Sequence, residues 1–145
     1  MKIKQKAWWW VFVPLSGRYR FSASVGDTIY LSPKRWRNYQ TGSPNRNTRA
    51  LIAHEKVHIE QYQRHGWKFG FLYLFSRAHR LYFEAEAYAA QIAVRGRDPN
   101  IIDKKAGILS SWRYMLFVPH EIAQATIEVE LQRLNEGIRG VRLLK

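Results

Sequence analysis

His54-Glu55-Lys56-Val57-His58 lies inside the stretch Asn47 to Gly66, and the reading of that stretch decides the fold. Asn47 or Thr48 can cap a helix, and Gly66 can end it, so the pattern predicts a helix to about His65. Leu51, Val57 and Ile59 anchor it by their apolar side chains. Residues four apart stack on one helix face, so both imidazoles can reach a single ion. Glu55 lies about 100° round the helix from His54. It flanks the ion without binding it, where it can take a proton from a metal-bound water. Neutral imidazoles with a hard carboxylate suit Zn²⁺, which lowers the pKa of its bound water to about 7.

A catalytic zinc needs a third protein ligand and an open position. Glu84, Glu86 and His79 are the candidates, and helix geometry ranks them. The apolar stripe of the helix expected over about Leu81 to Arg95 is Leu81, Ala85, Tyr88 and Ile92. Glu84 sits about 70° from the centre of that stripe and Glu86 about 130° away. Glu84 is therefore expected at the edge of the buried face, and Glu86 toward water. His79 falls far from the stripe unless the helix breaks near Arg80. Glu84 is the expected third ligand, with Glu86 and His79 as alternatives.

Upstream of this helix the pattern changes to strands. Trp8 to Val13 is β-branched and aromatic, and Pro14-Leu15-Ser16-Gly17 supplies turn chemistry. Tyr19, Phe21, Ala23 and Val25 alternate with polar residues, and Gly26-Asp27 turns the chain into a short strand, Thr28 to Leu31. Ser32 to Asn47 reads as an exposed polar loop. Downstream, helical patterns cover Trp67 to Ala78 and Leu81 to Arg95. A further helix is expected from Asp103, and a last one from Pro119 to about Asn135. Strands followed by helices imply an α+β fold: a small N-terminal antiparallel sheet, then a helical bundle carrying the active-site helix, in one domain over residues 1–145.

The bulk composition fits one compact domain, with 46% of 145 residues apolar and 14% aromatic. The absence of cysteine excludes disulfides, thiolate zinc sites and cysteine nucleophiles, leaving His, Asp and Glu to hold any metal. Lys2, Lys4 and Lys6 before the apolar run Ala7 to Leu15 superficially resemble a signal peptide. The run is short and ends at Pro14, and Arg18 and Arg20 follow where an uncharged cleavage region belongs. It reads as a strand, and with no stretch long enough to span a membrane the expectation is a cytoplasmic protein. The net charge of +13 favours anionic partners. Arg35, Arg37, Arg46 and Arg49, interleaved with Trp36 and Tyr39, could contact phosphates and stack on bases.

His54-Glu55-Lys56-Val57-His58 followed by Glu84-Ala85-Glu86-Ala87-Tyr88 resembles the gluzincin metallopeptidases, over about residues 28 to 92. The resemblance implies a minimal zincin fold, zinc bound by His54, His58 and Glu84, Glu55 as general base, and a protein or peptide substrate. Glu84 and Ala87 match the pattern around the family's third ligand, while Tyr88 stands where an Asp usually supports a ligand histidine. The strand Thr28 to Leu31 resembles the family's edge strand, along which an extended substrate lies. Gln61, one turn beyond His58, is expected to support the site or touch substrate. Relatives stabilise the oxyanion with a downstream Tyr or His, for which Tyr114 and His120 are available. The sequence thus predicts a zinc metallopeptidase. The competing expectation is a non-catalytic basic module for nucleic acid or another polyanion, such as an acidic cell-wall polymer, on a similar fold.

Overall fold

A computed structural model describes residues 1–7, 22–111 and 117–137. Among these, three strands precede six helices: β1 (Lys2–Gln5), β2 (Ala23–Val25), β3 (Thr28–Leu31), α1 (Pro33–Gln40), α2 (Arg46–His65), α3 (Trp67–Phe75), α4 (Arg77–Arg95), α5 (Pro99–Ser110) and α6 (His120–Asn135). The α+β expectation holds in this form, a small N-terminal sheet followed by helices. The strand expected over Trp8 to Val13 lies outside the described residues, and the one expected over Tyr19 to Val25 is described only at its end, as β2.

The sheet is mixed rather than antiparallel, in the order β1-β3-β2. β1 runs parallel to β3, with Ile3 opposite Ile29, and β2 runs antiparallel to it, with Ser24 opposite Ile29. Thr28 to Leu31 is therefore the central strand among the described residues, not an edge. Among the described residues that place belongs to β2 on one side and β1 on the other. Nothing in Lys2–Gln5 marks a strand by hydropathy, because only Ile3 contributes an apolar side chain to the core.

The segment read as an exposed loop contains α1. Ser32 precedes Pro33 at the first helical position, where the ring's fixed φ and missing N–H cost nothing. Trp36 and Tyr39, three apart, form its apolar side and pack with Leu51 and Ile52 on Ile29, Leu31 and Ile59. α2 begins slightly earlier than its sequence suggested. The Asn45 side chain accepts from the Thr48 amide at 2.9 Å, and the Asn45 amide donates to the Asn38 side chain. Gly66, at φ +58, ends α2 and opens α3 without an intervening loop, a conformation that favours glycine. α5 starts at Pro99 with Asp98 capping the Asn100 amide, so Asp103 lies inside the helix rather than at its start.

α4 is the centre of the molecule. One side packs against α5 and α6 through Leu81, Ala85, Tyr88, Ala89, Ile92, Ala106, Leu109, Ala123, Ile127 and Leu131. Its other side packs against α2. Nearly every residue from Leu81 to Ile92 is consequently buried, whichever way it points.

Candidate metal centre

The contact between α2 and α4 brings His54, His58 and Glu84 together, each offering a ligand atom within 4.8 Å of the others. The two imidazole Nε2 atoms are 3.2 Å apart. Glu84 places Oε2 3.7 Å from His54 Nε2 and Oε1 3.6 Å from His58 Nε2. Zinc bonds of about 2.0–2.1 Å in a tetrahedral arrangement separate neighbouring ligand atoms by about 3.3 Å, so the spacing suits such an ion. His54 and Glu84 are buried and His58 nearly so.

The hydrogen bonds around His58 fix its tautomer. The Gln61 amide nitrogen donates to the Phe83 carbonyl at 2.9 Å and to Glu86 Oε2 at 2.8 Å. Gln61 Oε1 must then accept, and it lies 2.8 Å from His58 Nδ1. His58 therefore carries its proton on Nδ1 and turns a lone pair on Nε2 toward the cluster. Glu84 Oε2 is buried and has no hydrogen-bond partner among the described residues. A buried carboxylate oxygen without a donor is costly, and a cation beside it would satisfy it. For His54, burial first, then the neighbouring His58 ring and the Lys105 ammonium, pushes the pKa well below its usual value, against a pull from the Ala87 carbonyl. That holds the imidazole neutral, the form that ligates metal. The donor set and its electrostatics fit zinc.

Glu55 is buried on the flank of the cluster. Burial pushes its pKa up, helped by the Glu84 charge and opposed by His58, a hydrogen bond from Ser24 and the Lys6 ammonium. A carboxylate so raised is better matched to proton transfer near neutrality than an exposed one. Ser24 sits on β2, which ties the sheet edge to this residue. Lys6 is fully buried just after β1, with its amide donating to Leu31 O at 2.8 Å. Desolvation lowers its pKa while Glu55 draws it back up.

The remaining expectations divide. Gln61 is hydrogen-bonded to His58. Glu86 does not point to water: it is buried and receives Arg64 Nη2 at 2.7 and 2.8 Å as well as Gln61. The stripe argument failed there because it assumed α4 buries one side, whereas α2 covers the opposite one. Glu86 lies two residues beyond Glu84 and meets the cluster through Gln61. His79 is held at the start of α4, with Nδ1 2.7 Å from Ser76 Oγ, and takes no part in the cluster. His120 Nε2 lies 3.0 Å from Asp103 Oδ1 on the exposed α5–α6 side, away from the ligands. Tyr114 lies outside the described residues. Tyr88 packs its ring 4.8 Å from that of His54 and under the Lys105 ammonium at 4.6 Å. Burial, with Arg95 and Lys104 nearby, pushes the Lys105 pKa down to about 8. Tyr88 thus buttresses His54 by packing where an Asp would bond it, and His54 Nδ1 makes no hydrogen bond of normal geometry among the described residues.

Sequence reasoning missed Tyr73. Its hydroxyl donates a short hydrogen bond to Glu84 Oε1, and its ring lies 6.3 Å from that of His58. Burial, then the Glu84 charge, holds the phenol well above its ordinary pKa, so it stays a donor. The signal was Phe69 and Tyr73, four apart on the inward face of the helix that joins the two ligand helices.

The arginine-rich segment is partly used up by the fold. Trp36 and Tyr39 stack on each other at 5.8 Å and are half-buried against the sheet core. Arg35 donates to Thr48 Oγ1 and Arg46 to the Val94 carbonyl, both at 3.3 Å, while Arg37 and Arg49 stand exposed. No helix among the described residues is long and apolar enough to cross a membrane. No family model matches the chain, and neither curated proteins nor solved structures give a match.

Proposed function

We propose that this protein is a zinc-dependent peptide hydrolase on a minimal zincin fold, of the gluzincin type. The observation that carries this reading is the convergence of His54 and His58 from α2 and Glu84 from α4, with Glu55 buried at their side. His54, His58 and Glu84 would hold the ion, which would supply Lewis-acid polarisation and a water acidic near neutrality.

The protein groups divide the remaining work. Glu55 takes a proton from the attacking water as its oxygen bonds to the peptide carbonyl carbon. It returns that proton to the amine nitrogen as the C–N bond breaks. Tyr73, kept protonated, donates its one O–H to Glu84 Oε1 and so orients that carboxylate beside the two imidazoles. Gln61 holds the His58 ring in its ligating tautomer, with Glu86 and Arg64 fixing Gln61 in turn. β2 brings Ser24 to Glu55.

Hydrolysis of fluorescein-labelled casein by the wild type and by Glu55→Gln tests the chemistry. The account expects a loss of at least about a hundredfold with bound zinc retained, since Glu55 transfers a proton and binds no metal. Unchanged hydrolysis in the variant would remove the proposed mechanism.

A further inference from the structure

α3 is apolar on two faces. Phe69 and Tyr73 turn inward, with the Phe69 ring 5.0 Å from Phe83 and 6.4 Å from His58. Trp67, Phe71, Leu74 and Phe75 turn outward and are 77%, 58%, 48% and 73% exposed. On a helix these four positions fall within about 100° of arc, so they form one continuous stripe. The Phe71 and Phe75 rings lie 4.9 Å apart within it. Large apolar side chains gathered on one exposed stripe mark a surface that is covered by something.

The charge around the stripe narrows what covers it. Between Glu60 and Glu84 the chain carries Arg64, Lys68, Arg77 and Arg80 and no acidic residue. Arg64 is engaged by Glu86, and Arg80 donates to the Tyr73 and Leu74 carbonyls, fixing the end of α3. Lys68 and Arg77 are exposed, and the Arg77 guanidinium lies 5.1 Å over the ring of Phe117, itself 65% exposed. An apolar stripe bordered by cations, on a chain of net charge +13, complements an anionic surface that also offers hydrocarbon.

We propose that this face of α3 docks peripherally on an anionic lipid bilayer. Trp67, Phe71, Leu74 and Phe75 enter the boundary between headgroups and acyl chains, and Lys68 and Arg77 meet headgroup phosphates. A second copy of the chain would bury the stripe but oppose like charges across it. An anionic polymer would satisfy the cations but leave Leu74 and Phe75 in water. The nine residues of α3 are far too few to span a bilayer, so the helix lies in the interface plane. The docking needs no metal. Because Tyr73 occupies the opposite face of the same helix, the docked protein holds the Glu84 cluster about one helix diameter from the lipid, roughly 10 Å.

Co-sedimentation of the full chain with phosphatidylcholine vesicles, with and without phosphatidylglycerol, tests the proposal. The wild type is expected to bind the anionic vesicles at least about tenfold more strongly than the neutral ones, and less strongly as salt is added. Phe71→Ser with Phe75→Ser should weaken binding to anionic vesicles by about tenfold or more, with circular dichroism and melting unchanged because both side chains are exposed. Lys68→Glu should weaken it severalfold. Equal binding by the wild type and the double serine variant would overturn the proposal, reducing the attachment to bulk charge. So would absence of binding to anionic vesicles, or a wild-type dimer in analytical ultracentrifugation that the double variant converts to monomer.

Discussion

Gln61 links the two helices of the cluster through a single amide. Its nitrogen is committed to Phe83 O and Glu86, so its oxygen has one remaining use, accepting from His58 Nδ1. The tautomer of a ligand histidine thereby depends on a side chain that touches no ligand atom of the cluster. Gln61→Leu keeps the volume roughly but removes the acceptor and leaves Glu86 with one donor fewer. The expected result is a zinc affinity weakened by about 10–100-fold, read by competition with a chromophoric chelator. An unchanged affinity would mean that His58 is oriented by packing alone. Tyr88 packs its ring against that of His54.

Among the elements, α4 decides both the core and the site. Ala85, Ala87 and Ala89 are fully buried, and small side chains let α2, α5 and α6 approach one helix from several sides. Ala89→Leu inserts methylenes where the helices meet and is expected to destabilise the protein by about 1–3 kcal/mol in urea unfolding. Little change would show spare volume in that core. This central position also explains what the sequence made legible. The helices with strong signals, α2, α3, α4 and α6, were readable from periodicity, capping residues and Gly66. That His54 and His58 share one helix face followed from spacing alone, and that Glu84 turns toward them followed from its place beside the apolar stripe. The burial of Glu86 was not readable, because a single stripe describes a helix with one neighbour and α4 has neighbours on opposite sides. α1 was missed because only Trp36 and Tyr39 mark its apolar side amid polar residues. β1 was missed because its pairing with β3 is a long-range contact that Lys2–Gln5 carries no local trace of. Tyr73 escaped for a related reason: a tyrosine in an apolar helix reads as core until the fold lays it against Glu84.

At the scale of the whole molecule, the described residues form two apolar clusters, and His54, His58 and Glu84 meet between α2 and α4, which connect them. One core joins the sheet to α1 and α2, and the other joins α4 to α5 and α6. Holding α2 against α4 therefore brings together a buried carboxylate, two imidazoles and a second buried carboxylate, an arrangement that costs stability unless a cation offsets it. A bound ion would act as a clasp between the two halves, raising the melting temperature with the logarithm of its free concentration over Kd. The most direct measurement is the zinc content, by plasma mass spectrometry, of protein purified without chelator. The account predicts about one zinc per chain in the wild type and in Glu55→Gln, and strongly reduced content in His58→Ala and Glu84→Ala. A wild type without zinc, or a Glu84→Ala variant that keeps its full complement, would contradict it.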